Sequence, residues 1–146
     1  MAKFEYKGAA FIENLNTRKE NSKTDDEQEL KVDLKLTIAV KAAEISSSLE
    51  PALHDFLFLE RGQVRNMKVS EIIFGYKMGD YCLSILGSTH FDVNIKNIKV
   101  KAHDGFVVFM TFTAQFKPTG SEIAKFAEYL KEHVDVVIQP ASAELC

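Results

Sequence analysis

Residues 29–40 read ELKVDLKLTIAV, and this stretch decides the fold. Leu30, Val32, Leu34, Leu36, Ile38 and Val40 alternate with Lys31, Asp33, Lys35 and Thr37. In an extended chain successive side chains point to opposite faces, so a period of two makes one buried face and one wet face. Wound as a helix, the same apolar residues would be scattered around the whole circumference.

Two more stretches carry the same period. In residues 106–116, Phe106, Val108, Met110, Phe112, Ala114 and Phe116 form an apolar face, and Phe109, Thr111 and Thr113 fall on the other parity. Phe91, Val93 and Ile95 alternate too, but the phase then slips to Ile98 and Val100. A one-residue slip inside a strand signals a β-bulge, here near Lys96–Asn97. His103-Asp104-Gly105 joins these two strands as a tight hairpin turn. Lys3–Leu15, Val64–Phe74, Tyr81–Ile85 and Val134–Ile138 read as further strands.

Two helices interrupt them. Ser48, followed by Leu49, Glu50 and Pro51, looks like the cap of a short mid-chain helix over Leu49–Leu57. Ser121 caps a second helix, with Ile123, Phe126, Ala127, Leu130 and Val134 at helical spacing. The connections between the middle strands are hairpin-short, which makes the sheet antiparallel. The expectation is an α+β, mainly β fold: an antiparallel sheet or sandwich of about six or seven strands, with a short mid-chain helix. A C-terminal amphipathic helix and a last strand complete it.

A chain of 146 residues is one domain's worth. Residues 16–28 are polar and highly charged and read as a mobile loop, and 140–146 as a tail. No apolar run approaches the ~18–20 residues of a membrane span. The first residues lack the apolar core of a secretory signal. Cys82 sits in the apolar run YCLSIL as a small buried hydrophobe, and Cys146 is the last residue. Neither has metal-ligand spacing, so a reduced, cytoplasmic chain is expected.

Sequence patterns for catalysis are missing. There is no phosphate-cradling GxxxxGK[ST], no GxSxG elbow and no HExxH pair. His54, His90, His103 and His133 are dispersed, and Asp25-Asp26-Glu27 lacks the alternating spacing of a calcium loop. We therefore expect no catalytic residue, no metal and no small-molecule cofactor.

Charge points to a binding role instead. The net charge is −3, which excludes a polycation. Yet residues 61–101 hold seven basic side chains (Arg61, Arg65, Lys68, Lys77, Lys96, Lys99, Lys101) against three acids (Glu71, Asp80, Asp92). An acidic protein can still present a basic face to a phosphate backbone. Lys96, Lys99 and Lys101 share the polar side of one strand, and Phe109 with Thr111 and Thr113 lies on the non-core parity of its neighbour. Such a face binds single strands through phosphate–ammonium contacts and base stacking on a ring. The candidate nucleic-acid-binding residues are Arg61, Arg65, Lys68, Lys96, Lys99, Lys101 and Phe109. The plainer alternative is a solvated sheet face kept soluble by lysines. An exposed apolar strip on this face would also favour a homo-oligomer. A different class of function, a protein–protein module that blocks or recruits a host nucleoprotein machine such as a defence nuclease, would use the charged loop. Its contacts would be Arg18, Lys19, Asp25, Asp26 and Glu27.

The order LKVDLKLTIAV, GQVRNMKV, GYKMGDYCLSI, HFDVNIKNIKVKAHDGFVVFMTFTAQF and a closing EYLKEHVDVVIQP resembles small accessory proteins of bacterial viruses. These have unassigned activity and accompany genes of DNA recombination and replication. The resemblance covers roughly residues 30–140. It implies a viral accessory protein acting in the host cytoplasm, and it assigns no site residues; the partner expected from the binding face is single-stranded nucleic acid or a nucleoprotein complex.

Overall fold

The structure is a computed structural model and describes residues 4–21, 28–50, 52–65, 71–75 and 77–141. Its strands are β1 (Tyr6–Asn21), β2 (Gln28–Lys41), β3 (Glu71–Phe74), β4 (Met78–Ile85), β5 (Ser88–His103), β6 (Val107–Phe116) and β7 (His133–Pro140). Helices α1 (Ala42–Ser48) and α2 (Leu53–Leu57) follow β2, and α3 (Gly120–Glu128) precedes β7. The fold is mainly β, with all strands antiparallel in one sheet.

That sheet closes on itself. Its order is β3-β5-β4-β7-β1-β2-β6, and β5 also pairs β6. Six strands therefore form a ring, β5-β6-β2-β1-β7-β4, and β3 extends the pairing of β5 alongside β4. Closure removes most sheet edges, and a barrel this small is filled by its own side chains. Leu34, Leu36 and Ile38 from β2 and Val108, Met110 and Phe112 from β6 are all buried inside. Each such side chain contributes about 1.5–3 kcal/mol by leaving water. The register is fixed because slipping β2 by one residue would turn Lys35 inward.

Helices stop both ends. At one end Ala42 N donates to Phe106 O (2.9 Å), and the His54 ring stacks on Phe106 at 5.0 Å. The Gly62 C=O ties the α2–β3 connection to the β5–β6 turn by accepting from Gly105 N (2.8 Å), while its N–H donates to Leu59 O (3.0 Å) within the connection. Gly62 has φ +88, and a Cβ there would lie 2.9 Å from the Phe106 ring, so both torsion and space require glycine. At the other end α3 inserts Phe126 against Phe116, with His90 beside both rings. α3 starts in a capping box in which Thr119 Oγ1 accepts from Glu122 N and Glu122 accepts from Thr119 N.

Several expectations change. Residues 16–21 and 28 are strand, not loop, because the β1–β2 ladder continues to Asn21↔Gln28; residues 22–27 lie outside the described residues. The mid-chain helix expected over Leu49–Leu57 is the shorter α2, Leu53–Leu57; α1 precedes it over Ala42–Ser48, and Ser48 ends α1 by donating to Glu44 O (2.8 Å) instead of capping a start. Thr119, not Ser121, caps α3, and Leu130 lies past its end and exposed. Of the described residues in Val64–Phe74, Glu71–Phe74 are strand and Val64 makes a lone bridge to Phe58; residues 66–70 lie outside the described residues. Cys82 is buried but disulfide-bonded, so it is not the reduced thiol expected. Cys146, with the rest of 142–146, lies outside the described residues. Among the described residues no helix is long and apolar enough to cross a membrane.

Candidate nucleic-acid interface

The site begins with the bulge. Lys96 pairs Thr113 and Lys99 pairs Thr111, so Asn97 and Ile98 on β5 oppose Phe112 alone on β6. Asn97 takes the extra residue's strain with φ 53, a left-handed conformation that asparagine tolerates. In a regular strand residues three apart face opposite sides. The bulge cancels that: Ile98 is fully buried, and both Lys96 and Lys99 face outward.

Register then builds a lysine-edged floor. Thr113 is flanked by Lys96 on β5 and Lys35 on β2, and Thr111 by Lys99 and Thr37. Neighbouring strands lie about 4.8 Å apart, so Lys35 and Lys96 straddle a channel about 10 Å wide. The Thr37 and Thr111 hydroxyls are 3.0 Å apart. Lys77, from the β3–β4 connection, forms the far wall. The result is an open groove of about 660 Å³ lined by Lys35, Lys77, Lys96, Lys99, Thr111 and Thr113, together with Ile73 and Asn97.

Its carboxylates are few. Glu71 on β3 reaches Lys99 at 3.7 Å from a half-exposed position. Asp33, one row beyond Lys35, is engaged by Gln115 Nε2 (3.0 Å) and Arg18 (3.5 Å). Glu13 accepts from Thr37 (3.3 Å) and meets Lys131 (3.7 Å). Among the described residues no carboxylate pairs with Lys35, Lys77 or Lys96. Lysine ammoniums over threonine hydroxyls supply point charges and neutral donors, a set suited to phosphate oxygens.

The sequence candidates separate in space. Lys96 and Lys99 belong to the groove. Lys101 and Phe109 pair with each other one row further along β5–β6. Phe109 is 39% exposed on the outer surface, so it is not core under a helix, and its ring meets His103 edge-on at 5.6 Å. Arg61 and Arg65 sit at the α2 end of the barrel in a separate depression with Leu59 and Gln63. Arg65 is spent on the fold, donating to Asp55 O (3.0 Å) and Phe58 O (3.2 Å). Lys68 lies outside the described residues, as do Asp25, Asp26, Glu27 and the Lys19 side chain. Arg18 is paired with Asp33. Lys35 and Lys77 were missed as candidates. Lys35 stands on the wet parity of the opening stretch, but only the β2–β6 register puts it opposite Thr113.

Among the described residues no other cluster of side chains suggests chemistry. Among the described residues no group of three or more His, Cys, Asp or Glu could hold a metal. The His54–Asp55 pair (3.2 Å) lies at an exposed helix surface. No family model, curated protein or solved structure matches the chain.

Proposed function

We propose that this chain is a non-enzymatic binding protein for single-stranded nucleic acid, and that its binding face is the outer wall formed by β5, β6 and β2. The observation that carries the reading is the convergence of Lys35, Lys77, Lys96 and Lys99 on one threonine-floored groove in which, among the described residues, Lys99 alone of the four is paired with a carboxylate, Glu71. Phosphates sit on the ammonium groups, and the strand continues along β5–β6 toward Lys101 and Phe109, whose exposed ring offers a stacking surface.

The test is fluorescence anisotropy of a labelled single-stranded oligonucleotide titrated with the protein at several salt concentrations. Releasing counterions from three or four phosphates gives a log–log salt slope of about −2 to −3. Absence of binding at low salt contradicts the proposal.

A further inference from the structure

The groove contains two side chains that phosphate binding does not need. Ile73, on the four-residue strand β3, is 73% exposed, the most exposed of the large apolar side chains. Its register partner is Lys99, so it stands directly beside the groove floor. Asn97 is the exposed bulge residue on the same side of β5, and its amide has no hydrogen-bond partner among the described residues. Gly75 lines the same groove, and an added Cβ there would meet nothing within 4 Å. An apolar surface and a solvent-facing amide free of protein partners among the described residues thus border one open space, which Lys96 and Lys99 also line.

We propose that Ile73 and Asn97 form a subsite for one unpaired nucleobase: the base lies against Ile73, and its Watson–Crick edge hydrogen-bonds to the Asn97 amide. This rests on the reading of the groove as a nucleic-acid site and adds what it recognises there. A phosphate has no use for a large apolar side chain. A nucleobase has both an apolar face and an edge of donors and acceptors, which a primary amide matches because it carries both. In a duplex the faces are stacked and the edges paired, and a channel about 10 Å wide, two strand spacings, admits one sugar–phosphate chain. The subsite therefore selects single strands. Lys96 and Lys99 hold the flanking phosphates, and the bulge that turns both of them outward also places Asn97 at the base.

Asn97→Gly tests the amide without disturbing the backbone, since glycine adopts φ 53 freely. Ile73→Thr tests the apolar seat while keeping a β-branched residue in the strand. Thermal denaturation by circular dichroism establishes that both variants remain folded. Anisotropy is measured with two probes of equal length, a single-stranded DNA and an abasic phosphodiester oligomer, and then with the four homopolymers. The wild type should bind the base-bearing strand about fivefold or more tighter than the abasic one, and Ile73→Thr should bring that ratio close to one. Wild-type affinities should differ among the homopolymers by about threefold or more, and Asn97→Gly should level them. Equal wild-type binding to abasic and base-bearing strands overturns the subsite but leaves the phosphate groove standing. Preferences that persist unchanged in both variants also overturn it. If neither probe binds, the groove reading itself falls, and the subsite with it.

Discussion

The barrel has two opposite outer walls with cavities of nearly the same size and different chemistry. On the β5–β6–β2 wall the groove of about 660 Å³ gathers four lysines. On the β1–β7–β4 wall a groove of about 700 Å³ carries one lysine, Lys7, and one acid, Asp135, among serine and threonine hydroxyls and aliphatic residues. Volume does not distinguish them. What differs is whether the positive charge is cancelled locally, and a polyanion responds to that difference. The outward positions of β2 and β5 include Lys31, Lys35, Lys96 and Lys99 alongside Asp33 and Thr37, whereas those of β7 read His133, Asp135, Val137 and Gln139.

The largest effect should come from the core shared by both walls. Phe112 is buried between them, and Phe112→Ala should cost about 3–5 kcal/mol in chemical denaturation, through lost transfer energy and a residual cavity. A loss below about 1 kcal/mol would mean that the barrel interior is not close-packed. The next effect separates the walls. Reversing Lys35, Lys96 and Lys99 together to glutamate should weaken oligonucleotide binding by about 100-fold or more at low salt. Lys7→Glu on the opposite wall should change it less than about twofold. Equal losses from the two walls would reduce the comparison to overall charge.

How much of this was legible depended on whether a residue's role was local. The interior of β2 and β6 could be read from alternation because burial on one face repeats every second residue. The bulge was legible too, because it leaves a phase slip between Ile95 and Ile98. The strand course of Asn16–Asn21 was not, since every residue there is polar and the ladder to β2 holds it, not a buried face. Ser48 was misread because a serine hydroxyl serves a helix end as readily as a start. Barrel closure and the groove depend on pairings between residues far apart in sequence. Lys35 and Lys96 meet across Thr113, and no local pattern records that. Arg61 and Arg65 belong to the basic window in sequence but sit apart from the groove, at the α2 end of the barrel.

A smaller effect concerns the α3 end, which both walls share. His90 is 7% exposed, near Ser88 Oγ (3.0 Å) and Glu122 (3.7 Å) and against the Phe116 and Phe126 rings. Burial pushes its pKa below the ordinary 6.5, partly opposed by the Glu122 charge. Glu122 is itself held low, first by its hydrogen bond from the Thr119 backbone. Because the folded state disfavours protonated His90, the unfolded chain binds the proton more readily. Stability is therefore complete above pH 6.5 and declines as pH falls from there toward the depressed folded value. His90→Gln should flatten that segment of the stability–pH curve, measured by urea denaturation between pH 7.5 and 5; an unchanged slope would assign it to other groups. The smallest effect returns to the groove. Glu71→Gln releases Lys99 from a half-exposed ion pair and should tighten oligonucleotide binding by about twofold. Weaker binding would mean that Glu71 positions Lys99 instead of competing for it.

The central claim is that the two walls differ in what they bind, and lysine-reactive footprinting read by mass spectrometry tests it most directly. With saturating single-stranded oligonucleotide, Lys35, Lys77, Lys96 and Lys99 should lose reactivity, while Lys7 on the opposite wall and Lys125 on α3 keep theirs. Protection of Lys7 with the four groove lysines left reactive would contradict the account.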